Sequence, residues 1–321
     1  TSLSNTNSSN HSSCGWNGKS YLTESDLEIF VSDQLEMIPS LAQIDEAFHA
    51  YYIYHTVRRF VFCLSPEINN NTKPIAIGKI VCSDCFREFN EFRFAKANSA
   101  KLRGRGIDDD DDDGEDGQML QSIQKLLGQS QDVEEQRTGY KANNWFSCEN
   151  ALRVYKMYLQ LDADHNGTLS LKEMLQFNGS TMSNLCIQRI FQYKKTWDGE
   201  MDYKGFLNFV LATENKQHLA ALNYWWEILD LDGNGYLTPL TLHTLYRSVQ
   251  KKMGIFGLDP INCEDVVTEI IDMVHPNDVD KITKRDLLRS KMYHTVIDIL
   301  TDVKGFWEYE NRESIMVDQQ S

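Results

Sequence analysis

Apolar residues recur at helical spacing along two long stretches of this chain, separated by a polar interval. Leu22, Leu27, Phe30 and Val31 form one series, Leu41, Ile44, Phe48, Tyr51 and Tyr52 a second, and Val57, Phe60 and Val61 a third. Steps of three and four residues put each series on one face of a helix, which predicts three or four helices before Ala97. Dense helical periodicity returns over residues 141–302. Residues 98–140, between the two, hold Gly104, Gly106, a run of aspartates and several Gln and Ser. That is the composition of a flexible excursion, with a local helix expected around Met119 to Leu127. Residues 1–20 are rich in Ser and Asn and are expected to be disordered.

Within the second stretch a unit repeats. Residues 162–173 read Asp-Ala-Asp-His-Asn-Gly-Thr-Leu-Ser-Leu-Lys-Glu and fill every position of an EF-hand calcium loop. Asp162, Asp164 and Asn166 offer side-chain oxygens at positions 1, 3 and 5, and Gly167 makes the sharp turn at position 6. Thr168 offers its carbonyl, Ser170 coordinates directly or through water, and Glu173 closes the shell with two carboxylate oxygens. Val154, Met157, Tyr158 and Leu161 form an apolar stripe entering the loop, and Met174 and Phe177 begin one leaving it. The second copy, Lys194 to Gly205, has lysine at position 1 and no acid at position 12, so it is not expected to hold calcium. The third begins well, with Asp230, Asp232, Asn234 and Tyr236, but ends on Thr241, which predicts weak or no binding. The fourth, His275 to Asp286, keeps the apolar plug Ile282 and the terminal acid but has Asp280 in place of the turn glycine. EF-hand loops pair through a short antiparallel contact. Thr168 to Ser170 should therefore meet Glu200 to Asp202, and Tyr236 to Thr238 should meet Lys281 to Thr283. Pairing gives incompetent loops a reason to persist, because each helix-loop-helix exposes an apolar face that its partner covers.

Composition narrows the class. At 41% hydrophobic and 11% aromatic, 321 residues can bury a sizeable core. No apolar run is long enough for a membrane helix, and the chain is expected to be soluble. Although its first residue is Thr, a removed leader is not excluded. Eight acidic side chains within residues 108–116 supply more than half of the net charge of −15. A run of this kind is expected to stay solvated, and the mild remainder argues against a nucleic-acid surface. Seven cysteines at irregular spacing fit reduced thiols, hence a cytosolic or nuclear setting. Cys82 and Cys85 form a lone CxxC in an apolar helical stretch, read as a buried thiol pair rather than a zinc or redox site. The glycosylation sequon Asn166-Gly167-Thr168 lies inside the calcium loop and is read as a chance match.

Five segments carry a family resemblance. They are Val57-Arg-Arg-Phe-Val-Phe with Leu64-Ser-Pro, Asn144-Trp-Phe-Ser, Ala151-Leu-Arg-Val-Tyr155, Asp198-Gly-Glu-Met-Asp-Tyr203 and Gly305-Phe-Trp-Glu-Tyr-Glu-Asn-Arg-Glu313. Together with the order of complete and degenerate loops, they make residues 22–313 resemble the B″ class of protein phosphatase 2A regulatory subunits, in its gamma or FASS/TONNEAU branch. The resemblance implies a non-catalytic subunit that binds a HEAT-repeat scaffold and a catalytic subunit and selects substrates or location. In this branch the location is often a microtubule-organising structure. The expected setting is cytoplasmic, with the cytoskeleton, the centrosome or the nucleus as particular addresses and cytoskeletal or centrosomal proteins as further partners. Two features depart from the family pattern: Ser65 to Pro74, where relatives have an EF-like turn, and the aspartate-rich insertion.

The expected fold is accordingly all-α, built of EF-hand helix-loop-helix repeats in paired lobes with an N-terminal helical lobe. The expected divisions are a disordered start (1–20), a helical lobe with a degenerate EF-like hand (21–97) and an acidic insertion (98–140). A calcium-competent EF-hand pair (141–215), a degenerate pair (216–302) and a C-terminal tail (303–321) follow. Calcium is the expected cofactor. An enzyme reading finds no phosphate loop, no G-x-S-x-G elbow and no H-E-x-x-H, and the eight histidines are dispersed. The alternative is a free-standing calcium sensor that grips amphipathic target helices, and a single complete loop among four copies counts against it. Trp225 and Trp226 are read as core, while Phe306 to Tyr309 either pack back on the lobes or dock a partner.

Overall fold

The computed structural model describes residues 20–35, 37–38, 46–65, 73–93, 144–194 and 196–312. The first part contains β1 (Tyr21–Leu22), α1 (Glu24–Leu35), α2 (Glu46–Leu64), β2 (Ile75–Ala76), α3 (Ile77–Val81) and α4 (Asp84–Arg93). Next come α5 (Cys148–Leu161), α6 (Leu171–Met174), α7 (Phe177–Ser180), α8 (Asn184–Tyr193) and α9 (Tyr203–Glu214). The remainder is α10 (Leu219–Leu229), β3 (Tyr236–Leu237), α11 (Pro239–Ile255), α12 (Cys263–Val274), β4 (Ile282–Thr283), α13 (Lys284–Ser290), α14 (Tyr293–Thr301) and α15 (Val303–Glu310). The chain has the expected all-α architecture, with strands only two residues long. No helix among the described residues is long and apolar enough to cross a membrane. The expected disordered start and the acidic insertion with Asp108–Asp113 lie outside the described residues, apart from Ser20.

Local chemistry explains where the exit helices start. The ninth residue of every loop copy is an N-cap: Ser170, Asp202, Thr238 and Thr283 each accept from a backbone N–H three residues on. In the first and fourth copies the twelfth residue answers, so Ser170 with Glu173 and Thr283 with Asp286 form complete capping boxes. The fourth loop therefore keeps its acid as a helix cap. Asp286 accepts from Thr283 N–H at 3.0 Å and is paired with Arg289 at 2.9 Å.

Loop pairing follows the expected register. Leu169 and Met201 exchange both backbone hydrogen bonds at 2.8 Å, and Leu237 stands opposite Ile282. A third pairing of the same kind, between β1 and β2, sets Leu22 against Ile75, with α1 and α3 starting directly afterwards. Thr23 and Asp26 repeat the reciprocal capping contact, since Asp26 Oδ2 accepts from Thr23 N–H at 2.9 Å and Asp26 N–H donates to Thr23 Oγ1 at 3.2 Å. The strand pairing and the cap of α1 thus repeat two features of the loop pairs, whereas α3 starts on Ala76 with no side-chain cap, and the apolar plug residues of all three pairings are buried.

The lobes share one continuous core. Helix α2 runs through it, packed on α1, α4, α5, α9 and α10. The segment Asn144–Phe146 stitches α2 and α4 to the first calcium-loop pair. Tyr52 Oη donates to Phe146 O at 2.7 Å, Trp145 N–H donates to a Glu88 carboxylate oxygen at 2.8 Å, and the Trp145 ring stacks on His55 at 4.1 Å. Trp225 is fully buried and donates to Ala212 O at 2.9 Å, whereas Trp226 is partly buried.

Two expectations need correction or completion. Cys82 and Cys85 are not a buried pair: Cys82 ends α3 exposed, while Cys85 starts α4 on its inner side, hydrogen-bonded to Cys63 of α2. The break between α3 and α4 turns the two CxxC thiols to different environments. The C-terminal segment packs back as helix α15, with Phe306 buried against Tyr246 at 5.1 Å and Trp307 half exposed.

Candidate metal centre

Ser147 caps α5 at its start, and the helix delivers Asp162 to the mouth of the first loop as its C-terminal cap. There Asp162 is buried, and its two oxygens accept from Asn166 N–H at 3.1 Å and Gly167 N–H at 3.0 Å. Asp164 Oδ1 accepts from the same Asn166 N–H at 3.2 Å. The backbone can fold so tightly because His165 and Gly167 take left-handed φ values of 55° and 79°. His165 is exposed, as its position in the loop predicts. Asn166 Oδ1 accepts from Thr168 N–H at 2.8 Å, and the phenol of Tyr158, from the entering helix, donates to Gly167 O at 2.6 Å.

Glu173 closes the loop across its two ends. One carboxylate oxygen accepts from Ala163 N–H at 2.9 Å, and the other from Ser170 N–H at 2.8 Å and Ser170 Oγ at 2.7 Å. Burial opposes the charge on this carboxyl, but hydrogen bonds from Ser170 and from the backbone of Ala163 and Asp164 outweigh it and hold the group below its ordinary pKa. Carboxylate oxygens of Asp162, Asp164 and Glu173 lie within 4.8 Å of one another, and this is the one such acidic or His/Cys group of three or more among the described residues. Three hard oxygen donors converging on one point, with Asn166, Thr168 and Ser170 in the same turn, are the donor set a calcium ion requires.

The other loops are brought together differently. Asp230 repeats the part of Asp162, accepting from Asn234 N–H at 3.1 Å and Gly235 N–H at 2.8 Å, with Gly233 and Gly235 left-handed. At position 12, however, a Thr241 hydroxyl stands 3.4 Å from Asp232 Oδ2, where the first loop has a carboxylate. Tyr236 lies in the strand pairing, its ring 5.4 Å from the Lys281 ammonium. In the second loop the Lys194 ammonium turns away to Glu227 and lies 4.3 Å from the Tyr224 ring. Sequence reasoning overlooked Glu200 of that loop, whose carboxylate accepts from Asn166 Nδ2 at 3.2 Å and from Thr168 Oγ1. The expected antiparallel contact was the available signal, since it sets loop 2 beside loop 1.

Comparison with known proteins places this geometry in a lineage. No family model matches the chain. The human B″-gamma regulatory subunit of serine/threonine-protein phosphatase 2A is 39% identical over 302 residues, covering 93% of this chain. Its zebrafish (Danio rerio) namesake is 38% identical over the same share. The probable B″-type regulatory subunit TON2 of Arabidopsis thaliana is 34% identical over 301 residues, or 89% of this chain. The chain spans 54% to 57% of the length of these relatives. A chain of a solved PP2A PR70 holoenzyme superposes with a TM-score of 0.64 at 23% identity, covering 91% of this chain and 94% of that one. The fold is thus shared with that structure, and the matched relatives are named regulatory rather than catalytic subunits. Across nine tenths of its length, this chain is homologous to the B″ family of protein phosphatase 2A regulatory subunits, and both the gamma subunits and plant TON2 are among its relatives.

Proposed function

We propose that this chain is a non-catalytic regulatory and targeting subunit of a serine/threonine protein phosphatase 2A, binding its HEAT-repeat scaffold and its catalytic subunit and directing substrate choice or location. The observation that carries the reading is the 39% identity to B″ gamma over 93% of the chain. The address we propose is the cytoplasm, at cytoskeletal or centrosomal structures, in keeping with the resemblance to the gamma and TON2 branch. The free thiols of the six described cysteines agree with a reducing compartment.

Calcium completes the reading. Asp162, Asp164, Asn166, the Thr168 carbonyl, Ser170 and Glu173 would hold the ion, and Glu173 would supply two oxygens. When bound, the ion would offset two of the three converging negative charges and stiffen the loop. Loop 3 would hold calcium weakly at best, because Thr241 offers neither a charge nor a second oxygen. The test is reconstitution of the purified chain with scaffold and catalytic subunits, with calcium and with chelator, read by size-exclusion chromatography. A ternary complex is expected. Its absence under both conditions, with the chain folded, would overturn the regulatory-subunit reading, and the chelator arm shows whether calcium gates assembly.

A further inference from the structure

Loop 2 has no acid at its first or last position, yet it places a carboxylate over its neighbour. Trp197 and Glu200 exchange backbone hydrogen bonds at 2.8 and 2.9 Å. Between them Asp198 and Gly199 take φ of 51° and 87°, the left-handed pair of a type I′ hairpin turn, for which Asp-Gly is a preferred sequence. Met201, the next residue, is bonded in both directions to Leu169 of loop 1. Turn and bridge together determine where Glu200 stands along the first loop. There, Glu200 Oε2 accepts from Asn166 Nδ2 at 3.2 Å and from Thr168 Oγ1. Those donors belong to the fifth and seventh residues of loop 1, two of its proposed ligands.

We propose that Glu200 is a positioning residue for calcium in loop 1: an acid supplied by the incompetent loop that orients Asn166 and Thr168 and adds a fourth negative charge at the site. The proposal rests on the calcium reading above. Asn166 can turn either its oxygen or its nitrogen toward the loop interior, and only the oxygen is a ligand. Asn166 Nδ2 donates to Glu200 at 3.2 Å and, more weakly, to Asp164 Oδ2 at 3.4 Å, and Oδ1 stays in the loop, where it accepts from Thr168 N–H at 2.8 Å. Calcium loops tune affinity by the count of ligand charges and by rigidity, and groups that orient ligands typically weigh about 10- to 100-fold in metal affinity. Glu200 acts on both terms, which gives the second loop a role that does not depend on binding metal itself.

The test is calorimetric titration of calcium alone into the full chain and into Glu200→Gln, Glu200→Ala and Glu173→Gln, with thermal melts of each in chelator. Glu200→Gln keeps an acceptor for Asn166 but loses the charge, and Glu200→Ala loses both. The expected result is a calcium affinity about tenfold weaker in Glu200→Gln and weaker still in Glu200→Ala. Melting in chelator should be unchanged or raised for Glu200→Gln, because a repulsive carboxylate has been removed; a merely structural role would lower it. The charge component should shrink as potassium chloride is raised, since salt screens it. Wild-type affinity retained in both Glu200 variants would overturn the role of Glu200 and leave the calcium site standing. If wild-type protein binds no calcium that Glu173→Gln abolishes, the calcium reading falls and this inference falls with it.

Discussion

Glu173 caps the helix that follows the loop and would serve a metal in it, so its substitution should be read on two scales. Its carboxylate would give calcium two oxygens, and in the structure the same oxygens hold Ser170 and Ala163, closing the capping box of α6. Glu173→Gln should abolish calorimetric calcium binding at this loop while costing the metal-free protein about 1 kcal/mol, the worth of a cap. Undiminished binding heat in this variant would refute the site assignment. The converse substitution is Thr241→Glu. The loop ahead of it already has the hydrogen bonds of a competent one, with Asp230 holding the two N–H groups that Asp162 holds in loop 1. Supplying the missing acid at the third residue of α11 should add a second calcium per chain and complete a capping box with Thr238. An unchanged stoichiometry would mean that the loop is mis-shaped beyond its last ligand.

Among the elements, α2 is the one whose interior has a titration consequence. His55 is fully buried on it and stacked on Trp145; its Nε2 lies 2.8 Å from Trp145 O, and its Nδ1 has no hydrogen-bond partner. Burial pushes its pKa down to about 3. The hydrogen bond to Trp145 works against that shift, and the positive charges of Arg153 and Arg59 add to it. An unfolded histidine titrates near 6.5, so between about pH 6.5 and pH 3 the unfolded chain binds a proton that the folded chain refuses. The stability His55 contributes is therefore complete above about pH 6.5 and is lost as pH falls toward 3, by at most about 1.4 kcal/mol per pH unit. Urea midpoints measured from pH 7 to pH 5 should fall more steeply for the wild type than for His55→Gln. Parallel slopes would show that His55 is not the proton acceptor.

On the scale of the whole molecule, what the sequence reveals depends on how rigid the chemistry is. A calcium loop needs particular oxygens at particular offsets, so Asp162 to Glu173 and the loop pairings are legible residue by residue. The reuse of position 9 as a helix cap, and of Asp286 and Asp26 as capping acids, is harder to see, because serine, threonine and aspartate have many other uses. Contacts such as Cys85 with Cys63, or Glu200 with Asn166, join segments whose meeting depends on the packed fold, and no spacing rule announces them. The third pairing, β1 with β2, was hidden for a related reason: only two residues of each strand take part. The shared core makes the described residues one packed body. A single body has a consequence for calcium. If the chain unfolds as a unit, an ion that binds only the folded loop stabilises everything, by about 2.7 kcal/mol at a hundredfold excess over its dissociation constant. For a protein of this size the whole melting transition should then rise by about 4–6 °C on calcium saturation, and Glu173→Gln should lose the shift. A melt that splits in two, with only one part moving, would instead show that the first calcium-loop pair opens on its own, and that the core uniting it with the rest is weaker than its burial suggests.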